Sequence, residues 1–384
     1  MRVLMIGWEF PPVVSGGLGV ACEGIVRGLG SLGCEVVLLV PRRPRDSGDR
    51  GEAAPGSALP SVKMIPSGTR LVPYGTASGL YGDDLRDEVS RLAAVARVVA
   101  RQESFDVVHV HDWMTFPAGL AASEVSGRPM LAHVHATEFS RSAGEGGDPF
   151  IRGIERAALR RADRVLCVSR FTAGVVRRRY GVDPLRIRVV HNAIDGTGAA
   201  AARDEPPGTP LVLFAGRLTR QKGPGRFLEA ARLVRQRRPD VRFVMAGAGD
   251  RLEWLRSRAD ELGLGDAVEF PGFLDRPALT ALYGRSSVYV LPSVAEPFGL
   301  TVLEALRQGV PTVAARLAGV TEIVHSVVRV DAENVAVLAE RILRLLESPR
   351  LRARLSRMGR AEVARMSWSL PAARCLDVYR EVVC

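Results

Sequence analysis

Short apolar runs alternate with amphipathic stretches along the whole chain, and this alternation restricts the fold more than any other feature of the sequence. Buried parallel strands are short and apolar, and the helices that connect them carry one apolar face. The pattern therefore predicts an α/β protein whose parallel sheets are covered by helices on both sides. The predicted strands are 2–7, 35–40, 106–110, 129–135, 164–168, 187–191, 211–215, 241–246, 267–270, 287–291 and 311–315. The predicted helices are 84–103, 153–162, 224–237, 251–262, 299–308 and 333–347.

The length of 384 residues predicts more than one domain, because a single hydrophobic core usually serves no more than roughly 250–300 residues. A proline-rich stretch without periodicity, 196–209, is predicted to link two Rossmann-like domains, 1–195 and 210–366. Another such stretch, Arg42 to Pro60, is predicted to be a surface loop of the first domain. A helix is expected at 367–384, beyond the second sheet.

The formal net charge of +11 raises the question of a nucleic-acid partner. The basic residues are spread over many helices, and aromatic residues make up 6% of the chain. Few stacking platforms are therefore available and no nucleic acid is expected, whereas peripheral contact with an anionic membrane stays open. The five cysteines form no Cys-x-x-Cys pair. Because signal-peptide features and apolar runs of about 18 residues are also missing, a reduced, cytoplasmic protein is expected.

Lys63 and Lys222 are the only lysines among 53 basic residues. Lys222 belongs to the segment GRLTRQKG at 216–223, which directly follows the predicted strand 211–215. Lysine presents a compact ammonium that can reach a phosphate in a tight space, whereas arginine presents a broad planar fork. Chance is the alternative explanation for this lysine. A second signature downstream favours a phosphate-binding role.

That second signature is EPFGLTVLEA at 296–305, where Glu296 and Glu304 bracket a turn that opens a helix. Residues 299–301 would form the first helical turn, whose amides have no partner inside the helix. Glu304 lies among apolar residues and should be half-buried, and a buried carboxylate needs partners such as ribose hydroxyls. A solvated helix face is the alternative. Together with Lys222, the segment indicates a sugar-nucleotide site.

Gly16 and Gly17 lie between the first predicted strand and an amphipathic helix. Glycines at this place let backbone amides approach a phosphate, although a tight turn between strand and helix would need them as well. The segment does not match Gly-x-Gly-x-x-Gly, and the chain has no Walker pattern. Nicotinamide dehydrogenases and the common nucleoside triphosphatases are therefore disfavoured.

Two His-x-His pairs end buried strands, and alternation places both members of each pair on one face of the sheet. Zinc is conceivable there. The interior of a parallel sheet would lack room for it, however, and no cysteine is near in sequence, so no metal site is predicted. Asp112 and His135 are expected just beyond the strand ends, where open parallel sheets bind ligands. His109 and His133 are interpreted as packed or hydrogen-bonded residues of the core.

The whole chain resembles retaining glycosyltransferases of family 4, which have the GT-B fold, and within them the glycogen and starch synthase-like branch. The segments 216–223 and 296–304 carry the specific motifs, Gly-Arg-x-x-x-x-Lys-Gly and Glu-x7-Glu. Segments 8–19, 111–113 and 135–139 extend the match. The resemblance implies two Rossmann-like domains facing across a cleft, with the last helix crossing back to the first domain.

For the donor substrate, the resemblance implies that Arg217 and Lys222 hold the diphosphate. It implies that Glu296 binds hydroxyls of the transferred sugar and that Glu304 binds the ribose. Backbone amides are implied to lie near the phosphate and sugar at Gly16, Gly17, Phe298, Gly299 and Leu300.

For the remaining site, the resemblance implies that His135 lies beside the anomeric centre and that Asp112 lines the acceptor side. The implied activity is that of a retaining hexosyltransferase with no cofactor and no metal, and the chain has no Asp-x-Asp motif. The implied partners are a nucleotide sugar, ADP-glucose or UDP-glucose, and an α-glucan or other glycosyl acceptor.

Two departures from the family pattern leave the donor base and the acceptor open. Bacterial synthases that use ADP-glucose carry a lysine where this chain has Val14. The glycine-containing turn expected after 319–324 is shortened to His325-Ser326. A transferase acting on a glycolipid or a small polyol is therefore an alternative. The intact motifs disfavour two further ones, a sugar-nucleotide epimerase on the same scaffold and a basic binding protein with a decayed site.

Overall fold

The structure is a computed structural model that describes residues 1–11, 16–41, 61–69, 71, 84–196 and 208–383. The chain forms two compact units. The first unit contains residues 1–139, 146–193 and 367–384, and the second contains residues 140–145 and 194–366. The predicted surface loop Arg42 to Pro60, residues 197–207 of the predicted linker, and Val14 lie outside the described residues.

A seven-stranded parallel sheet forms the centre of the first unit, in the order β3-β2-β1-β4-β5-β6-β7. Its strands are β1 (Arg2–Ile6), β2 (Glu35–Val40), β3 (Val62–Pro66), β4 (Val107–His111), β5 (Met130–Val134), β6 (Arg164–Cys167) and β7 (Ile187–Val189). The strand order reverses between β1 and β4. Open parallel sheets bind ligands at such a point, outside the carboxyl ends of the strands.

A six-stranded parallel sheet forms the centre of the second unit, in the order β10-β9-β8-β11-β12-β13. Its strands are β8 (Leu211–Ala215), β9 (Arg242–Ala246), β10 (Val268–Gly272), β11 (Val288–Leu291), β12 (Thr312–Ala315) and β13 (Val327–Val330). Phe214, Phe227 and Phe243 pack against one another in its buried core. The strand order reverses between β8 and β11, which predicts the ligand-binding edge of this sheet.

The helices are α1 (Gly17–Ser31), α2 (Leu85–Gln102), α3 (Phe116–Ser126), α4 (Glu138–Arg141), α5 (Pro149–Arg161), α6 (Arg170–Val175), α7 (Pro224–Arg237), α8 (Leu252–Glu261), α9 (Arg276–Arg285), α10 (Leu300–Arg307), α11 (Val335–Glu347), α12 (Pro349–Val363) and α13 (Ser369–Val383). Several begin at a side-chain cap: Asp148, Ser169, Asp275 and Asn334 each accept a hydrogen bond from a backbone amide of the first turn. Among the described residues, no helix has the length and apolar character needed to cross a bilayer.

The predicted α/β class with two parallel sheets is confirmed, and each predicted strand agrees with an observed one to within two residues at either end. Strands β3 and β13 were absent from the predicted set. Both lie at the edge of a sheet, where part of the strand faces solvent and carries residues such as Lys63 and Arg329. Helix α3 was missed because it is apolar on nearly every side and shows no helical periodicity.

Helix α13 packs against α1 in the first unit, and glycines on α1 permit the close approach. A Cβ atom at Gly24 would overlap the indole ring of Trp368. A Cβ atom at Gly28 would lie 2.7 Å from the Trp368 carbonyl oxygen and 2.6 Å from the Ala372 Cβ. Since Trp368 is buried, the surrounding core leaves the ring little room to move.

We expect Gly24→Ala to lower the free energy of unfolding by about 1–3 kcal/mol, the usual effect of overpacking a core. Gly153→Ala on α5 is the matched control, because no heavy atom of the described part of the chain lies within 4 Å of its added Cβ. That change should be neutral or stabilising by up to about 1 kcal/mol, since alanine is the better helix former. Urea unfolding followed by circular dichroism measures both; equal effects of the two substitutions would contradict this packing account.

Candidate functional site

The loop that leaves β8 contains Lys222, and a close contact between two loops positions this lysine. The segment 220–222 forms a 3-10 turn that ends at Gly223, whose φ of 69° favours glycine. A Cβ at Gly223 would overlap the carbonyl oxygen of Pro292, just after β11. The glycine therefore lets the loops after β8 and β11 approach at the point where the strand order reverses.

This approach forms an ion pair between Lys222 and Glu296. The Lys222 Nζ lies 2.7 Å from the Glu296 Oε2, and the Ser293 hydroxyl donates to the same oxygen at 2.9 Å. The side chains are 17% and 4% exposed, respectively. Two residues that the sequence predicted on different motifs are thus in direct contact. A carboxylate this buried requires such partners.

Gln221 holds the two loops together and was not predicted from the sequence. The side-chain amide of Gln221 donates to the Ala295 carbonyl at 3.0 Å. The backbone carbonyl of Gln221 accepts from the Val294 amide at 2.9 Å. Its side-chain oxygen accepts from the Arg217 guanidinium at 3.2 Å. Arg217, a predicted diphosphate ligand, is therefore oriented by the residue that neighbours Lys222. The signal available in the sequence was a glutamine inside a basic loop. In the structure this glutamine is buried.

The predicted turn at Phe298, Gly299 and Leu300 opens helix α10. Gly299 has φ of 105°, and its Cβ would crowd Leu291, Glu296 and Val320 at 3.2–3.3 Å. The amide of Val320 donates to the Phe298 carbonyl at 2.8 Å and fixes the turn. The amides of a first helical turn point away from the helix and carry partial positive charge. The positive end of helix α10 therefore lies beside the Glu296 side chain.

Glu304 lies one turn into α10 and is partly exposed, as its sequence context predicted. The hydroxyl of Tyr283 lies 3.4 Å from its Oε2, and the Tyr289 hydroxyl donates to the Thr301 hydroxyl at 2.8 Å. Burial raises the pKa of Glu304, while the positive charges of Arg276 and Arg307 lower it. The two tyrosines were not predicted from the sequence.

In the first unit, Glu9 binds the beginning of α1. Its carboxylate accepts from the Gly16 amide at 2.8 Å and from the Gly19 amide at 3.0 Å. Gly16 and Gly17 had been predicted to lie near a phosphate. The structure places a buried anionic side chain against this helix start, and an anion is the partner that the partial charge of a helix N-terminus favours.

Asp112 connects the ends of β4 and β5. Its Oδ1 accepts from the amide of His135 at 2.7 Å and from that of Ala136 at 3.2 Å. Its own amide donates to the His133 carbonyl at 3.0 Å. Asp112 adopts φ of 59°, a left-handed conformation that aspartate tolerates better than most residues. This residue was predicted on the acceptor side; in the structure its Oδ1 fixes the backbone that carries His135.

Four histidines form one buried cluster on β4, on β5 and directly after β5. The His111 Nδ1 lies 2.9 Å from the His135 Nε2, and the His109 Nε2 lies 3.2 Å from the His133 Nδ1. The His109 Nδ1 is 2.6 Å from the hydroxyl of Tyr379 on α13. Burial lowers the pKa of His109 and of His135 to about 3. The rings of His109 and His133 are thus packed and hydrogen-bonded, as the strand pattern suggested.

We expect Asp112→Asn to change the free energy of unfolding by less than about 1 kcal/mol, because asparagine keeps an acceptor oxygen and tolerates a positive φ. Asp112→Ala should lower it by about 2–4 kcal/mol, because two amides lose their acceptor and alanine is strained at this φ. Chemical denaturation of both variants checks the difference. Equal stability of the alanine and asparagine variants would show that the carboxylate does not support this turn.

Comparison with known proteins identifies the class. Residues 15–197 match the family model described as Glycosyltransferase Family 4, and residues 199–362 match the model described as Glycosyl transferases group 1. The glycogen synthase of Mycobacterium tuberculosis is 30% identical over 398 residues, which cover 99% of this chain and 94% of that protein. The chain belongs to glycosyltransferase family 4, as its two motifs predicted.

Other relatives differ in the acceptors that their names give. A D-inositol 3-phosphate glycosyltransferase of Acidothermus cellulolyticus is 33% identical over 416 residues, covering 100% of this chain and 90% of that protein. Sucrose-phosphate synthase from Thermosynechococcus elongatus matches with a TM-score of 0.80 at 21% identity, covering 99% of this chain and 98% of that one. Anabaena HepE in complex with UDP and glucose matches with a TM-score of 0.75 at 17% identity, covering 99% and 100%. These structures establish the GT-B fold, and the chain is a glycosyltransferase of that type.

Proposed function

We propose that this protein is a retaining glycosyltransferase that moves glucose from a nucleotide-diphosphate sugar to an α-glucan. The observation that carries the proposal is the pairing of Lys222 with Glu296 beside the first turn of α10, where the strand order reverses. Cation, carboxylate and helix amides are then available together for a diphosphate and a sugar. The similarity to a protein named glycogen synthase supports the glucan acceptor.

Transfer requires stabilisation of two opposite charges. As the bond between the anomeric carbon and the phosphate oxygen breaks, negative charge grows on the diphosphate and positive charge on the sugar ring. Arg217, Lys222 and the positive end of α10 would stabilise the diphosphate, so no divalent metal is needed for this step. The acceptor oxygen bonds to the anomeric carbon on the face that the diphosphate leaves, and its proton passes to the departing phosphate.

The ion pair suits a site that must accept an anion and then release it. Without donor, Glu296 neutralises the Lys222 ammonium at 2.7 Å. A bound diphosphate would attract the same ammonium, and the Glu296 oxygens would accept hydrogen bonds from sugar hydroxyls. Glu304 would bind the ribose hydroxyls, which provide partners for its partly buried carboxylate.

For the first unit, we propose that His135 contacts the transferred sugar near its anomeric centre and that Asp112 serves the acceptor side. The lowered pKa of His135 supports a neutral imidazole, which can both donate and accept a hydrogen bond. Oδ1 of Asp112 accepts from the His135 amide. A substitution at Asp112 should therefore disturb His135 as well as the acceptor.

For the transfer reaction itself we propose no cofactor beyond the donor and acceptor, and we propose no nucleic-acid partner. Four of the five cysteines, Cys22, Cys34, Cys167 and Cys375, belong to the described residues, where they are free and buried, which supports reaction in the reducing cytoplasm. We propose peripheral contact with an anionic membrane only if the acceptor is a lipid.

A polyol phosphate is the second candidate acceptor, because a relative of 33% identity is named D-inositol 3-phosphate glycosyltransferase. Labelled ADP-, UDP- and GDP-sugars, each tested with glucan, inositol phosphate, glycolipid or no acceptor, separate the candidates. We expect α-linked glucan from a glucose donor. A β-linked product would refute retention. Product on inositol phosphate or glycolipid alone would replace the glucan proposal, and isomerised donor without transfer would indicate an epimerase.

We expect Lys222→Ala to lower kcat for transfer at least ~100-fold, the effect of losing one preorganised charge at the leaving group. Lys222→Arg should also be impaired, because the planar guanidinium does not fit the place of a compact ammonium. Steady-state kinetics with the preferred donor measures both variants. Circular dichroism must accompany them, because the alanine leaves Glu296 buried without its cation.

The chain offers its other lysine as the control. Lys63 is 58% exposed and pairs with Glu103 in the first unit. Lys63→Ala should therefore keep wild-type kcat and KM. If a folded Lys222→Ala protein turned over as fast as Lys63→Ala, Lys222 would have no role at the diphosphate.

A further inference from the structure

We infer that His109, His111 and His133 form a binding site for a transition-metal dication of the zinc class. One ring nitrogen from each residue lies within 4.8 Å of those of the other two. All three side chains are fully buried in the first unit. No metal site was predicted from the sequence, because the interior of a parallel sheet was expected to lack room. In the structure the three imidazoles converge near the carboxyl ends of β4 and β5.

The parallel pairing of β4 with β5 creates this convergence. His111 is in register with His133, and alternation puts His109 on the same face as His111. The ring centroids of His109 and His111 are 4.4 Å apart, and those of His111 and His133 are 5.3 Å apart. Three imidazoles from two neighbouring strands are thus held by rigid backbone, which is the support that a precise metal site needs.

Two ring nitrogens of the triad have no hydrogen-bond partner among the described residues. They are the buried Nε2 atoms of His111 and His133, while the opposite nitrogen of each ring contacts another histidine. A buried polar atom left unpaired destabilises the folded state. Coordination of a metal would satisfy these lone pairs.

A second layer of contacts orients two of the proposed ligands. The Tyr379 hydroxyl lies 2.6 Å from the His109 Nδ1, which leaves the Nε2 of that ring directed towards His133. The His135 Nε2 contacts the His111 Nδ1 at 2.9 Å. Histidine ligands in proteins commonly use their other nitrogen in this way, and the contact fixes the ring and its tautomer.

The chemistry of the donors selects the metal. Neutral imidazole nitrogen suits zinc, cobalt, nickel and copper, whereas magnesium and calcium prefer oxygen. Zinc–nitrogen bonds of about 2.0–2.1 Å place tetrahedral ligands roughly 3.4 Å apart. Nitrogens now up to 4.8 Å apart would close by rotation of the rings. Three histidines leave the fourth position for water or an anion, as in other three-histidine zinc sites.

Cobalt(II) provides the test, because its visible absorption reports tetrahedral nitrogen coordination. Full-length protein without a histidine tag is treated with chelator, exchanged into chelator-free buffer and titrated with Co²⁺ and then Zn²⁺. We expect one equivalent of Co²⁺ to give a tetrahedral spectrum, Zn²⁺ to displace it, and each metal to raise the Tm. No spectrum and no rise in Tm would overturn the inference.

Variants assign the ligands. His111→Gln should abolish the spectrum, and Tyr379→Phe, which keeps the ring packed, should weaken binding by about 10–100-fold. His325→Gln is the matched control, because His325 is not among the clustered histidines, and it should bind as wild type. Wild-type affinity in both His111→Gln and Tyr379→Phe would refute the site. The Tyr379 variant keeps the test decisive if His111→Gln fails to fold.

Discussion

The ion pair between Lys222 and Glu296 is the interaction on which the candidate donor site depends. It joins two loops that leave adjacent strands, and it exists only because Gly223 lets the backbone pass against Pro292. Because the pair is buried, a substitution that removes either side chain would leave the other charge without its partner. In the proposed function, the cation of this pair serves the anionic diphosphate and the carboxylate serves the hydroxyls of a neutral sugar.

In the first unit, buried polar side chains fix the ends of strands and the start of a helix. Oδ1 of Asp112 serves the backbone of His135, and Glu9 serves the start of α1. The buried histidine cluster contacts the Tyr379 hydroxyl on α13 through His109. The last helix therefore supports the histidine cluster as well as packing in the core. If that cluster binds metal, the ion would stabilise this unit independently of the donor chemistry.

The parallel sheets followed from the sequence because buried strands show as uninterrupted apolar runs. Lys222 stood out in the sequence as a rare lysine and Glu304 as a carboxylate in an apolar helix, whereas Glu296 stood out as the carboxylate before the turn that opens this helix. Contacts between segments distant in the chain were beyond reach. The Gln221 side chain meets the Ala295 carbonyl, and the Glu9 carboxylate meets the Gly19 amide, only once the chain has folded. Strands β3 and β13 were missed for a related reason, since an edge strand pairs on one side and keeps polar residues on the other.

Hydrogen exchange measured by mass spectrometry, with and without UDP or ADP, tests most directly whether these loops form the donor site. Binding of either nucleotide, verified by calorimetry, should slow exchange in 216–223 and 296–304, because the diphosphate would engage Lys222 and the amides at the start of α10. The protection should disappear at matched nucleotide concentration in Lys222→Ala. Nucleotide that binds without protecting either segment, or that protects them equally in Lys222→Ala, would contradict the account.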